Sequence, residues 1–63
     1  MFEITEIKNY DTHHRYGTDW HTDYIIKSDE ELNIGQVIEK CNACGECTLK
    51  KTENGYILET IMY

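Results

Sequence analysis

The sequence predicts an α+β domain in which one helix packs on one face of a four-stranded antiparallel sheet, in the order β-β-α-β-β. Three observations carry that prediction. Residues 32–45 place apolar side chains at helical spacing between two end signals, residues 20–27 alternate as a strand does, and Asn54-Gly55 separates two β-prone runs. One helix over one sheet face is the simplest arrangement that buries the helical stripe.

Residues 2–10, FEITEIKNY, begin with Phe2 and Ile4 in alternation and then slip phase at Ile7. A strand with a bulge or bend near Glu6 accommodates the slip. Residues 11–19, DTHHRYGTD, are polar, contain Gly17 and read as a loop. The strand at residues 20–27 puts Trp20, Thr22, Tyr24 and Ile26 on one face, with His21, Asp23, Ile25 and Lys27 on the other.

In residues 32–45, Ile34, Val37, Ile38, Cys41 and Cys44 fall on one stripe of a helix. Two starts compete, because Ser28 with Glu31 and Asn33 with Gln36 both fit a capping box. Only Asn33 is also flanked by a hydrophobic staple, Leu32 with Val37, so Asn33 is the expected cap and residues 28–32 a preceding turn. Gly45 is the expected left-handed stop.

After the helix, Asn54-Gly55 is the pair preferred in a tight type I′ hairpin. A two-residue loop there sets Lys51 opposite Leu58, Leu49 opposite Thr60 and Cys47 opposite Met62 on the helix side. Lys50 then faces Glu59 on the other side, beside Ile57 and Ile61. Two isoleucines on an uncovered face, with Tyr63 on a terminal strand, mark a surface for self-association, with a homodimer as its simplest form.

A chain of 63 residues forms one small domain with a marginal core. No apolar run reaches the ~18–20 residues of a membrane span. No signal-peptide series is evident, so a cytoplasmic address with reduced thiols and no membrane partner is expected. Three cysteines are an odd number, which argues against a closed disulfide framework. Twelve acids against six bases give a net charge of −6, and residues 1–31 hold eight of the acids. That balance disfavours direct contact with nucleic acid and suits either solubility or a basic partner.

Cys41-Asn-Ala-Cys44-Gly-Glu-Cys47 is the sharpest motif. Its C-x2-C-x2-C spacing resembles part of the bacterial ferredoxin cluster run, without the fourth Cys and the following Pro. The resemblance implies thiolates around an iron–sulfur cluster. A zinc site completed by His13, His14 or His21 (His21 above all) is a related alternative. The other account is core packing, with Cys41 and Cys44 on the helix stripe and Cys47 beside Leu49 and Met62, since free Cys behaves as a small buried hydrophobe. Core packing is the expectation adopted, with no cofactor.

Asp11, His13, His14, Asp19, His21 and Asp23 lie within thirteen residues. Imidazoles beside carboxylates are the materials of a general base or a hydrolytic metal site. So short a chain leaves little room for a substrate pocket, so the group reads as a solvated loop with no catalytic residue and no enzyme activity. Seven aromatics, five of them Tyr, exceed what one helix can help bury. The RYGTDW segment offers Arg15, Tyr16, Asp19 and Trp20, with Asp23 following, as a partner-binding group, because Tyr, Trp and Arg anchor protein interfaces. Trp20 taken alone reads as core and Tyr16 as an exposed contact. The expected function is a non-catalytic module that binds a larger protein. By analogy of build it is a phage-type small acidic inhibitor that blocks a surface on a host enzyme or defence protein. A small zinc or iron–sulfur protein is the alternative.

Overall fold

The computed structural model describes residues 2–63. Strands β1 (Phe2–His14) and β2 (Gly17–Ser28) form a long hairpin, helix α1 (Ile34–Cys41) follows, and β3 (Glu46–Lys51) with β4 (Gly55–Met62) closes the chain. The sheet order is β1-β2-β4-β3 and every pairing is antiparallel. The predicted class and element order hold, and the second hairpin joins the first through β4 against β2.

Thr5 is the extra residue of a bulge, since Ile4 pairs with Ile26 and Glu6 with Ile25. The bulge returns Ile7 to the face of Phe2 and Ile4, which resolves the phase slip in the sequence. Four rows then cross the helix-side face. They are Ile4–Ile26–Tyr56–Lys51, Ile7–Tyr24–Leu58–Leu49, Asn9–Thr22–Thr60–Cys47 and Asp11–Trp20–Met62.

The core gathers on the first two of these rows. Ile26, Tyr56 and Leu58 are buried with Leu32 and Val37, and Phe2, Ile4, Tyr24, Ile38, Cys41, Cys47 and Leu49 pack around them. The Tyr56 hydroxyl accepts the buried Leu32 amide at 3.2 Å, fixing the turn before the helix to β4. Within that turn, Ser28 Oγ accepts from the Glu30 amide at 3.1 Å, forming a short side-chain-closed bend.

The helix begins as predicted. Asn33 Oδ1 accepts from the Gln36 amide at 2.9 Å, and Gln36 Oε1 accepts from the Asn33 amide at 3.0 Å. We expect Asn33→Ala to lower the unfolding free energy by about 0.5–2 kcal/mol in urea titration, because one amide of the first turn loses its acceptor.

The far end differs from expectation. The helix stops at Asn42, which takes the left-handed conformation with φ 53°, so α1 has 8 residues. Gly45 turns the chain into β3 instead, at φ 86°, where a Cβ would run into the Ile61 carbonyl oxygen. A Cys44 on the helix stripe is therefore corrected, because it lies past the cap and is exposed. Ile34, also placed on that stripe, is exposed on the helix surface.

The second hairpin also corrects the sequence reading. Lys51 pairs with Tyr56 and Leu49 with Leu58, two residues out of the expected register. The turn is centred on Glu53 and Asn54, with the Thr52 amide donating to the Gly55 carbonyl at 2.8 Å. Gly55 already belongs to β4, opposite Lys27 of β2, where a Cβ would meet the Ile26 carbonyl oxygen and sit 2.7 Å from the Ser28 nitrogen. Glycine is required there for close approach rather than for a turn. A two-residue shift leaves each side chain on its predicted face. The expected Lys50–Glu59 pair survives as a diagonal ion pair at 3.0 Å.

Candidate functional site

An eight-residue helix is about 12 Å long at 1.5 Å per residue, whereas the molecule extends 41 Å along its longest axis. The helix therefore covers one end of the sheet and leaves the other bare. Strand β4 reaches only to Met62, opposite Trp20, while β1 and β2 continue through the pairs Thr12–Asp19, His13–Thr18 and His14–Gly17. That continuation is a two-stranded arm about 10 Å long. The polar loop expected over residues 11–19 is thus a correction, since both strands run to a tight turn at Arg15 and Tyr16.

What holds the arm and the sheet at its base together is polar and local. Asn9 Oδ1 accepts from Thr22 Oγ1 at 3.0 Å, Thr12 and His21 are hydrogen bonded at 2.9 Å, and His13 and Thr18 at 3.1 Å. His14 Nδ1 accepts the Tyr16 amide at 3.2 Å while its Nε2 donates to Asp19 Oδ1 at 3.1 Å, a pattern that fits the Nε2–H tautomer. The rings of Tyr10 and His21 stack at 4.6 Å between centroids. Cross-strand pairs of this kind stabilise a ribbon that has no core of its own.

The five residues expected to bind a partner are placed on three surfaces. Arg15 and Tyr16 form the tip, where Tyr16 is 86% exposed and the Arg15 guanidinium lies 5.5 Å from its ring centroid. Trp20 is on the helix-side face but beyond the helix and 58% exposed, so its reading as a core residue is corrected. Asp19 and Asp23 are on the opposite face. Asp23 lies directly across from Glu59 in the row Lys8–Asp23–Glu59–Thr48. One Asp23 oxygen, Oδ1, is shielded from solvent and has no hydrogen-bond partner among the described residues. Tyr10, beside it, has its phenol pushed up by partial desolvation first and then by the Asp23 and Glu59 carboxylates.

No family model matches this sequence, and comparison with curated proteins and with solved structures returns no significant match. The geometry of the chain itself therefore carries the functional reading.

The histidine and carboxylate cluster divides in the same way. Asp11 and His13 share the helix-side face, with His13 Nε2 3.0 Å from Asp11 Oδ2. His14, Asp19, His21 and Asp23 lie on the other. Among the described residues no three His, Cys, Asp or Glu side chains converge as a metal site. His21 pairs with Ile61 on the face away from Cys47, so the zinc set of Cys41, Cys44, Cys47 and His21 is not brought together.

Cys41 and Cys47 pack against the core, as expected, and Cys44 does not. Burial first, then the neighbouring Cys47, raises the Cys41 thiol above its ordinary range, with Lys40 opposing. Tyr24 is raised by burial first and then by the three thiols. A raised acid favours the neutral form in the folded state. Its stabilising contribution is therefore complete below the unfolded pKa (about 8.5 for a thiol) and lost as pH climbs through the folded value. We expect a disulfide reagent at neutral pH to label Cys44 first and Cys41 last, and unfolding free energy to fall above about pH 8.5. Equal labelling rates in the folded protein would contradict the placement of these thiols.

The remaining face carries the residues expected at an oligomer interface. Ile57 and Ile61 are half-buried beside Ile25, and Tyr63 is exposed at the rim with its hydroxyl donating to Glu46 at 2.8 Å. None of the helices is long and apolar enough to cross a membrane among the described residues.

Proposed function

We propose that the chain is a non-catalytic protein-binding module that presents the β1–β2 arm to a larger protein and works by covering a surface there. The observation that carries this reading is the arm itself. It projects past the rest of the sheet with Tyr16 at its tip, and Tyr10 and Trp20 are exposed on opposite faces of the sheet at its base. Aromatic side chains on a rigid two-stranded support lose little entropy on binding and bury large areas, which is how a small surface gains affinity. The dispersal of histidines, cysteines and carboxylates over separate surfaces supports a role without chemistry. A net charge of −6 favours a basic protein surface over nucleic acid and suits a phage-type inhibitor that occludes a host enzyme or defence protein.

With the chain immobilised as bait, a discrete lysate protein retained by the wild type is expected to be lost when Tyr16→Ala and Trp20→Ala are combined. Equal retention by both baits would remove the reading. Self-association through the opposite face is a second reading, favoured by the uncovered Ile25–Ile57 pair with Ile61. Sedimentation over rising concentration tests it, and a monomer throughout would end it.

A further inference from the structure

We propose that Asp11 and Trp20 together form a seat for an arginine side chain on a basic segment of the protein partner. The inference rests on the reading that the arm binds protein and names the chemistry recognised there. Asp11 and Trp20 are directly opposite in the β1–β2 register, so both project from the same face with Cβ atoms about 5 Å apart. Met62 stands on the other side of Trp20 and completes the row, 45% exposed. An indole, a carboxylate and a flexible apolar side chain therefore neighbour one another in one row of the sheet, with Trp20 and Met62 both exposed.

Each part suits one portion of an arginine. A guanidinium is planar and weakly hydrated, so it stacks on an indole face, where the ring quadrupole attracts a cation. A carboxylate on the same face accepts from its N–H groups. The methylene stem has Met62 to lie against, and Met accommodates varied shapes.

The charge of the site is also unmatched within the fold. Beyond the two rows that hold the core, the described helix-side residues are Asn9, Asp11, His13, Thr18, Trp20, Thr22, Thr60, Cys47 and Met62, of which Cys47 packs against the core and Thr60 is buried. They include one carboxylate and no lysine or arginine. The neighbour of Asp11 is His13, bound at Oδ2 and charged only when protonated, which leaves the second oxygen for a partner. A lysine head is held less well by such a flat seat, because its compact, strongly hydrated charge gives up more solvation on stacking. An apolar occupant would give the second Asp11 oxygen nothing to accept from.

The chain has a single tryptophan, so its emission reports on this position alone. Titration of the full-length protein with acetylated hexa-arginine amide is expected to change Trp20 emission saturably. Asp11→Asn should weaken the apparent affinity about five- to tenfold, and hexa-lysine should bind several-fold more weakly than hexa-arginine. Glu39→Gln, which removes the same charge from the exposed helix surface, should leave the titration unchanged.

No saturable change, an equal response to hexa-lysine, or equal weakening by Asp11→Asn and Glu39→Gln would each overturn the seat. An emission shift that follows protein concentration without peptide would overturn it in favour of a second copy of the chain. In lysate capture, loss with Trp20→Ala but full retention with Asp11→Asn would overturn the arginine seat and leave the protein-binding reading standing. Full retention with both variants and with Tyr16→Ala would overturn both.

Discussion

Replacing Leu58 with alanine is expected to unfold a large fraction of the protein at room temperature. Leu58 is fully buried in the middle of β4, between Tyr24 of β2 and Leu49 of β3 and under the helix. Truncating such a side chain removes its transfer free energy and leaves a cavity, costing about 2–5 kcal/mol. A domain of this length has about 3–9 kcal/mol in total. Only Ile26, Val37 and Leu58 are so completely enclosed among the described residues, so no larger core absorbs the loss. Ile7→Ala makes the contrast. Ile7 is in the same row but 52% exposed, and its truncation should cost under about 1 kcal/mol. Far-UV circular dichroism in urea is the proper readout, since an exposed Trp20 changes environment little on unfolding.

Gly55→Ala is the second large effect, expected to cost about 1–3 kcal/mol or more. The new methyl group would point at the Ile26 carbonyl and the Ser28 nitrogen, both backbone atoms that no rotamer change can move aside. Relief requires β4 to move away from β2, opening the bond from the Ser28 amide to the Asn54 carbonyl, now 3.1 Å. Amide exchange at Ser28 should therefore rise out of proportion to the drop in global stability. Asn54→Ala, by contrast, should be mild. Comparable costs at both positions would favour an Asn54-Gly55 turn and contradict the observed register.

These two sites show which parts of the fold a sequence reveals. The start of the helix was legible because Asn33 and Gln36 satisfy each other within three residues, and the bulge because Ile7 falls out of phase with Ile4. Gly55 was misleading because a glycine after asparagine has two explanations, a tight turn and a close strand crossing. The second depends on β2, which lies far away in sequence. The arm was hidden because its strands carry no apolar alternation. Pairs such as Thr12 with His21 and His13 with Thr18 are hydrogen bonded across the ribbon, and hydrophobic periodicity does not register them.

Trp20 was legible in its face and not in its exposure. Its even spacing from Tyr24 and Ile26 put it on the helix side. Whether it was covered depended on where the helix ended, and Asn42 ended it three residues before the expected glycine. The grouping of Arg15, Tyr16, Asp19, Trp20 and Asp23 as one surface assumed a loop over residues 11–19 and overlooked that Trp20 and Asp23 fall on opposite faces of the strand that follows. On two paired strands, neighbours in sequence point to opposite faces.

The central claim is that the arm is the part that meets a partner. Tyr16→p-benzoylphenylalanine places a photoreactive group at the tip, and Ile57→p-benzoylphenylalanine places one on the opposite sheet face as a comparison. Irradiation in lysate should give a discrete heterologous adduct from position 16 and none of the same mass from position 57. An adduct from position 57 alone, or no adduct from position 16, would contradict the account.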